Sequence, residues 1–101
     1  MTQECLLKVP DGLVSLIRNL HPQIKADIRN ALRLLTQNPN GGKALKEELD
    51  GLRSYRIKKY RIIYRIPAAF PQTLEIIVIG PRKNIYEETF NIISRERNKE
   101  S

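Results

Sequence analysis

The stretch Tyr55-Arg56-Ile57-Lys58-Lys59-Tyr60-Arg61-Ile62-Ile63-Tyr64-Arg65 decides how this chain is read. Its period is two: Tyr55 and Ile57 alternate with Arg56 and Lys58, then Tyr60, Ile62, Tyr64 and Ile66 alternate with Arg61, Ile63 and Arg65, the pattern of two half-buried strands. With Lys58-Lys59 as the loop of a β-hairpin, Ile57 opposes Tyr60 and Arg56 opposes Arg61, so both arginines share one face of the sheet. Lys-Lys is a poor two-residue turn, where Asn-Gly is usual, and a wider loop is the competing reading. Counting Arg53, six cations fall in this region, and no Asp or Glu stands from Gly51 through Leu74. Such a cluster repels itself, which points to a polyanionic partner rather than to internal stability.

Working outward, Leu74-Glu75-Ile76-Ile77-Val78-Ile79 is apolar at almost every position, as in a central strand covered on both faces. Gly80-Pro81 ends it, and Pro67 to Thr73 reads as a loop. Asn84 with Glu87 three residues on has the form of a helix cap. Ile85, Thr89, Phe90 and Ile93 then give the last helix a modest apolar stripe. Upstream, Leu13, Leu16, Ile17 and Leu20 follow helical spacing, as do Ile24, Ile28, Ala31, Leu32 and Leu35. His21-Pro22 separates the two helices, because proline suits the first turn of a new helix and disfavours helical geometry before it. Asn38-Pro39-Asn40-Gly41-Gly42 closes the second helix. Cys5 to Val9 reads as a short strand ended by a turn at Pro10-Asp11-Gly12.

The expected fold class is therefore α+β, with two N-terminal helices packed on a small antiparallel sheet in the order β-α-α-β-β-β-α. With 101 residues and 41% apolar content, one core is expected, in a single domain over 1–96 with a polar, fraying tail beginning at Arg95 and running through 97–101. The net charge of +7 favours RNA, DNA or an acidic protein as partner. One cysteine, Cys5, and one histidine, His21, exclude an internal disulfide and a Cys/His zinc cluster, so neither metal nor cofactor is expected. The first seven residues lack a positive lead and a long apolar run, and no segment approaches ~20 apolar residues. A cytoplasmic protein without membrane association is the expectation.

The element order, the YRIKKYRIIY block, the Gly80-Pro81-Arg82 ending with Tyr86 four residues later, and the Lys43-Ala44-Leu45 to Gly51-Leu52 approach together resemble the RelE/ParE toxin superfamily over nearly the whole chain. The resemblance implies a RelE-like fold and the toxin of a type II toxin–antitoxin system, held inactive by a cognate antitoxin protein. In the RelE-like branch it implies an mRNA interferase: a ribosome-dependent endoribonuclease cleaving mRNA in the A site without metal, with mRNA and the ribosome (rRNA) as partners. In the ParE branch it implies inhibition of DNA gyrase, and a non-catalytic RNA-binding module is the third reading. Carried over by position, the catalytic set is Lys58, Arg61, Arg82 and Tyr86, with Arg53, Arg56, Lys59 and Arg65 as RNA- and phosphate-binding residues. The hairpin is about two residues shorter than the family's usual form, and Arg56 stands where lysine is common.

Cleavage by the neighbouring 2′-hydroxyl needs a base, stabilisation of the dianionic transition state and a proton for the leaving oxygen. Lys58 is the candidate base, with crowding by Arg56, Lys59 and Arg61 expected to favour its neutral form. Arg61 and Arg56 bind phosphate with forked donors, Arg82 stabilises charge on the leaving side, and Tyr86 stacks on a base or donates a proton. Plainer roles compete with these. Arg53, Lys59 and Arg65 also read as solvated or backbone-binding cations, and Tyr55, Tyr60 and Tyr64 as core aromatics. Tyr86 also reads as packing for the last helix, His21 as a helix-terminus residue and Cys5 as a small buried hydrophobe.

Overall fold

The computed structural model describes residues 6–68, 72–81 and 83–100. Strand β1 (Leu6–Lys8) leads into helices α1 (Asp11–Arg18) and α2 (Pro22–Gln37), followed by a two-residue strand β2 (Lys43–Ala44). Strands β3 (Leu52–Ile57), β4 (Tyr60–Arg65) and β5 (Thr73–Pro81) come next, and helix α3 (Ile85–Glu100) ends the chain. The sheet order is β1-β5-β4-β3-β2. Its β2–β3, β3–β4 and β4–β5 pairs are antiparallel, as expected, whereas β1 joins β5 in parallel and makes the sheet mixed. A parallel pair needs a long crossover, and here everything from α1 to β4 supplies it.

The hairpin forms in the tighter of the two registers considered: Ile57 faces Tyr60 and Arg56 faces Arg61 across Lys58-Lys59. Lys58 accepts a left-handed φ of 51° to close the loop, a conformation that favours Gly or Asn. Alternation then divides the side chains between two layers. On one face Ile62, Tyr64, Leu74, Ile76 and Ile79 pack against Ile28, Ala31 and Leu35 of α2. On the other, Leu52, Ile63, Ile77 and Val78 pack against Ile85 and Ile93 of α3. The register slips between Ile63 and Tyr64, where Ile63 pairs with Val78 but Tyr64 with Ile76. That bulge lets adjacent Ile77 and Val78 serve the same layer, which is how one apolar strand feeds both cores. Each fully buried Ile or Leu stabilises the fold by about 1.5–3 kcal/mol.

Tyr64 ties the helical side to the sheet. Fully buried, its hydroxyl donates to the Pro39 carbonyl at 2.7 Å and accepts from Gly42 N–H at 2.9 Å. Burial pushes the phenol above its ordinary value, an effect the Gly42 hydrogen bond partly offsets. Glycine is required at 42 because an added Cβ would lie 2.5 Å from the Tyr64 hydroxyl oxygen. His21 caps α2, its Nδ1 accepting from Gln23 N–H.

Three local expectations change. Pro10-Asp11-Gly12 is the start of α1 rather than a separate turn, because the Pro10 carbonyl accepts the first helical bonds from Leu13 and Val14 and Asp11 suits a helix N-terminus. Helix α3 continues through Glu100, past the expected fraying point at Arg95, its Glu96 being anchored by an ion pair to Arg65. Phe90 is exposed rather than part of the α3 packing stripe. Cys5 and residues 69–71 of the expected 67–73 loop lie outside the described residues. Among the described residues, no helix is long and apolar enough to cross a membrane.

Candidate phosphate-binding site

Strand parity brings Ser54, Arg56 and Arg61 to the α3 face of the hairpin. Arg61 stands opposite Gly80 of β5, where the missing side chain leaves room for α3 to come down beside it. A Cβ at Gly80 would sit only 3.3 Å from Ile85 Cδ1. Tyr86, in the first turn of α3, thereby lies with its ring 5.6 Å from the Arg61 guanidinium carbon, a cation–π geometry. Arg61 Nη1 donates to Ser54 Oγ at 3.2 Å, while its Nε is buried without an acceptor among the described residues. Arg56, directly across the ladder, is exposed and turns its Nε toward the Lys58 carbonyl at 3.3 Å. Two guanidinium groups opposite each other destabilise a sheet. An anion between them would reverse that term, since forked N–H donors match phosphate oxygens.

The remaining sequence-predicted residues divide. Lys59 is exposed at the hairpin tip. Arg82 lies outside the described residues. Arg53 braces the segment before β2, its Nη1 donating to the carbonyls of Gly42 at 2.8 Å and Asn40 at 3.4 Å. Arg65 is held by two carboxylates: its Nε donates to Glu75 Oε1 at 2.9 Å and its Nη1 to Glu96 Oε2 at 3.2 Å. Burial alone would weaken that cation, but Glu75 and Glu96 outweigh it and hold the guanidinium above its ordinary value. Arg53 and Arg65 thus make backbone and carboxylate contacts within the fold.

Lys58 has an acidic partner that the sequence reading did not anticipate: beside Arg56, whose Nε reaches the Lys58 carbonyl, its Nζ lies 2.9 Å from Asp27 Oδ2 of α2. The contact is a close ion pair. Lys58 holds the Asp27 carboxyl below its ordinary range, against a smaller opposing effect of burial. Such a pair is formed by an ammonium, so a base at this position must first be released from Asp27. The sequence gives no signal for this contact, because Asp27 and Lys58 meet only through the packing of α2 on the hairpin.

Ser54 and Lys43 are two neighbours that sequence reading missed. Ser54 is buried, and its parity with Arg56 places it under Arg61. Lys43 is exposed and pairs with Ser54 across the β2–β3 ladder, so it stands on the same face. Nothing in a two-residue strand announces itself by periodicity.

The fold agrees with what the chain is similar to. The family model described as the ParE toxin of the type II toxin–antitoxin system parDE matches residues 11–86. No curated protein matches the sequence significantly. Among solved structures, a chain of the toxin–antitoxin complex RelBE2 from Mycobacterium tuberculosis is 28% identical. The match covers 79% of this chain and 100% of that one, with a TM-score of 0.68. An arginine double mutant of Escherichia coli RelE in the free state is 15% identical over 88% of this chain and 97% of its own, with a TM-score of 0.69. The archaeal RelE–RelB complex from Pyrococcus horikoshii contributes a chain 20% identical over 82% of this chain and 98% of its own, with a TM-score of 0.64; these last two likenesses are of fold. With the family model spanning most of the chain and a RelE-like fold around it, this protein belongs to the ParE toxin family of type II toxin–antitoxin systems, within the RelE/ParE superfamily.

Proposed function

We propose that this toxin acts on RNA, cleaving message on the ribosome by attack of a 2′-hydroxyl on the adjacent phosphodiester to leave a 2′,3′-cyclic phosphate and a 5′-hydroxyl. The observation that carries the reading is the Arg61 guanidinium held over the Tyr86 ring with Arg56 directly across the ladder. Two forked cations beside an exposed aromatic suit a phosphate with a base next to it. In this reading Arg61 and Arg56 take the scissile phosphate and stabilise the charge that builds on it, and Tyr86 stacks on the neighbouring base. Lys58 at the hairpin tip, once released from Asp27, takes the 2′-hydroxyl proton; Arg82 serves the leaving side, and Lys59 adds to the field that draws the strand in. Arg53 and Arg65 hold the framework.

A second reading, toxicity by binding DNA gyrase, draws on the ParE family model and on the Asp27 pair that engages the candidate base. Incubation with programmed ribosomes, scored for cleaved message, alongside a gyrase supercoiling assay separates the two. Cleavage with unaffected supercoiling supports the first reading, and the reverse supports the second. The partner is a cognate antitoxin, as in the RelBE2 and RelE–RelB complexes this chain resembles, and a net charge of +7 suits an acidic segment of it. The toxin is expected to work in the cytoplasm, where ribosomes and the antitoxin are.

A further inference from the structure

Resting on the RNA reading above, we propose that Phe90 is a second base-stacking residue, which together with Tyr86 forms a two-ring wall that takes consecutive unstacked bases of a single-stranded RNA. Among the described residues, the aromatics of the sheet, Tyr55, Tyr60 and Tyr64, pack into the core. Tyr86 and Phe90 are the two that stay open to solvent, at 40% and 44% exposure. They are four residues apart in α3, so they lie on one side of the helix, about 6 Å apart along its axis.

Contacts further along α3 fix which side that is. Ile93 shares a cavity wall with Leu52 of β3, and residues three apart on a helix face the same way. The Tyr86–Phe90 flank therefore overlooks β3 and β2 rather than β5. The level follows too. Tyr86 meets Arg61 and Glu96 meets Arg65, so α3 travels about 15 Å while β4 travels about 13 Å in the same direction. Phe90 falls between these two contacts, at the height of Ile63 and its partner Ser54.

At that height the sheet presents a cation. Lys43 pairs with Ser54 on this face and is exposed, one ladder step beyond the Arg56–Arg61 pair. A trough results with aromatic rings on one wall, Ser54, Arg56 and Arg61 on its floor and Lys43 on its rim, and one carboxylate, Glu88 of α3, reaches the sheet at its β5 side, 3.8 Å from where a Gly80 Cβ would lie beside Arg61. Charge selects a phosphate backbone as the occupant, and the rings select its bases. The spacing of the two positions selects the strand's state, because a rise of about 6 Å along the helix is wider than the 3.4 Å rise of stacked nucleotides. Bases seated on both rings must come from an extended, unpaired strand.

The test uses the toxin and its Phe90→Ala, Phe90→Leu, Phe90→Trp and Arg61→Ala variants, each checked by circular dichroism to be fully folded at the assay temperature. The probes are a fluorescent four-nucleotide 2′-O-methyl oligoribonucleotide, which cannot be cleaved, and a mononucleotide of the same base. Phe90→Ala is expected to weaken oligonucleotide binding by about 5- to 150-fold, the range for one base–aromatic stack. Phe90→Leu should fall nearly as far, Phe90→Trp should hold parental affinity, and the mononucleotide should not distinguish any of them. Parental affinity in Phe90→Ala or in Phe90→Leu, with Arg61→Ala still weakened, overturns the second stack while leaving the RNA site in place. A parent that binds neither probe, with Arg61→Ala no different, removes the RNA reading itself and the inference with it.

Discussion

Replacing Arg61 probes the core of the proposed site, and the structure lets its effects on fold and on function be separated. Arg61→Ala removes the hydrogen bond to buried Ser54 and the cation over Tyr86, interactions of about 1 kcal/mol each at a part-exposed site. It also relieves the repulsion from Arg56 across the ladder, which gives back about 0.2–1 kcal/mol. The net loss of about 1–2 kcal/mol is small beside the ~5–15 kcal/mol stability of an ordinary domain, so the variant should fold. In the complex, by contrast, it loses a charge-assisted contact to phosphate of about 1.5–3 kcal/mol, equivalent to roughly 10- to 150-fold. Arg61→Lys should fall between parent and alanine, because the charge survives while the fork and the flat face over Tyr86 do not. Cleavage of message on programmed ribosomes, read by primer extension beside thermal melts, supplies both numbers. A folded Arg61→Ala protein that cleaves at the parental rate would refute the assignment of Arg61 to the site.

Lys58→Arg should keep the ion pair with Asp27 and the binding of ribosomes yet lose most turnover, since arginine does not give up its proton; parental cleavage by this variant reduces Lys58 to an electrostatic role. Asp27 is depressed below its ordinary 3.8 in the folded chain, so its stabilising effect is present above that pH and is lost as pH falls through the lower folded value. The melting-temperature gap between parent and Asp27→Asn should accordingly narrow as the solution is acidified below pH 3.8, and a gap that does not narrow contradicts the pairing. Tyr64→Phe leaves the Gly42 N–H and the Pro39 carbonyl without their partner, a loss of about 2–4 kcal/mol in urea denaturation, and a change under about 0.5 kcal/mol would mean that water replaces the hydroxyl. Antitoxin association should slow as salt rises from low to physiological ionic strength, where the screening length is about 8 Å. A salt-independent on-rate would instead assign the encounter to apolar surface.

The sequence by itself determined the α+β class, the hairpin and the shared face of Arg56 and Arg61, because a period of two fixes parity, whereas the two-residue loop, and with it the pairing of Arg56 with Arg61, was chosen in the folded structure. It also determined that Tyr55, Tyr60 and Tyr64 belong to the core, since their parity matches the isoleucines beside them. Local patterns of this kind live within a few residues and are readable there. What lies between elements is not. That β1 runs parallel to β5, that Asp27 captures Lys58, and that Glu75 and Glu96 neutralise Arg65 are outcomes of how helices settle on the sheet. A row of cations looks uniform in the chain; acidic partners 10 and 31 residues away from Arg65 decide that it is spoken for, while Arg61 keeps a donor without an acceptor among the described residues. Phe90 shows the same limit from the other side. Helical spacing places it near the apolar stripe, but the width of the face that α3 buries is set by the sheet beneath it, and only the packed structure leaves that ring in water.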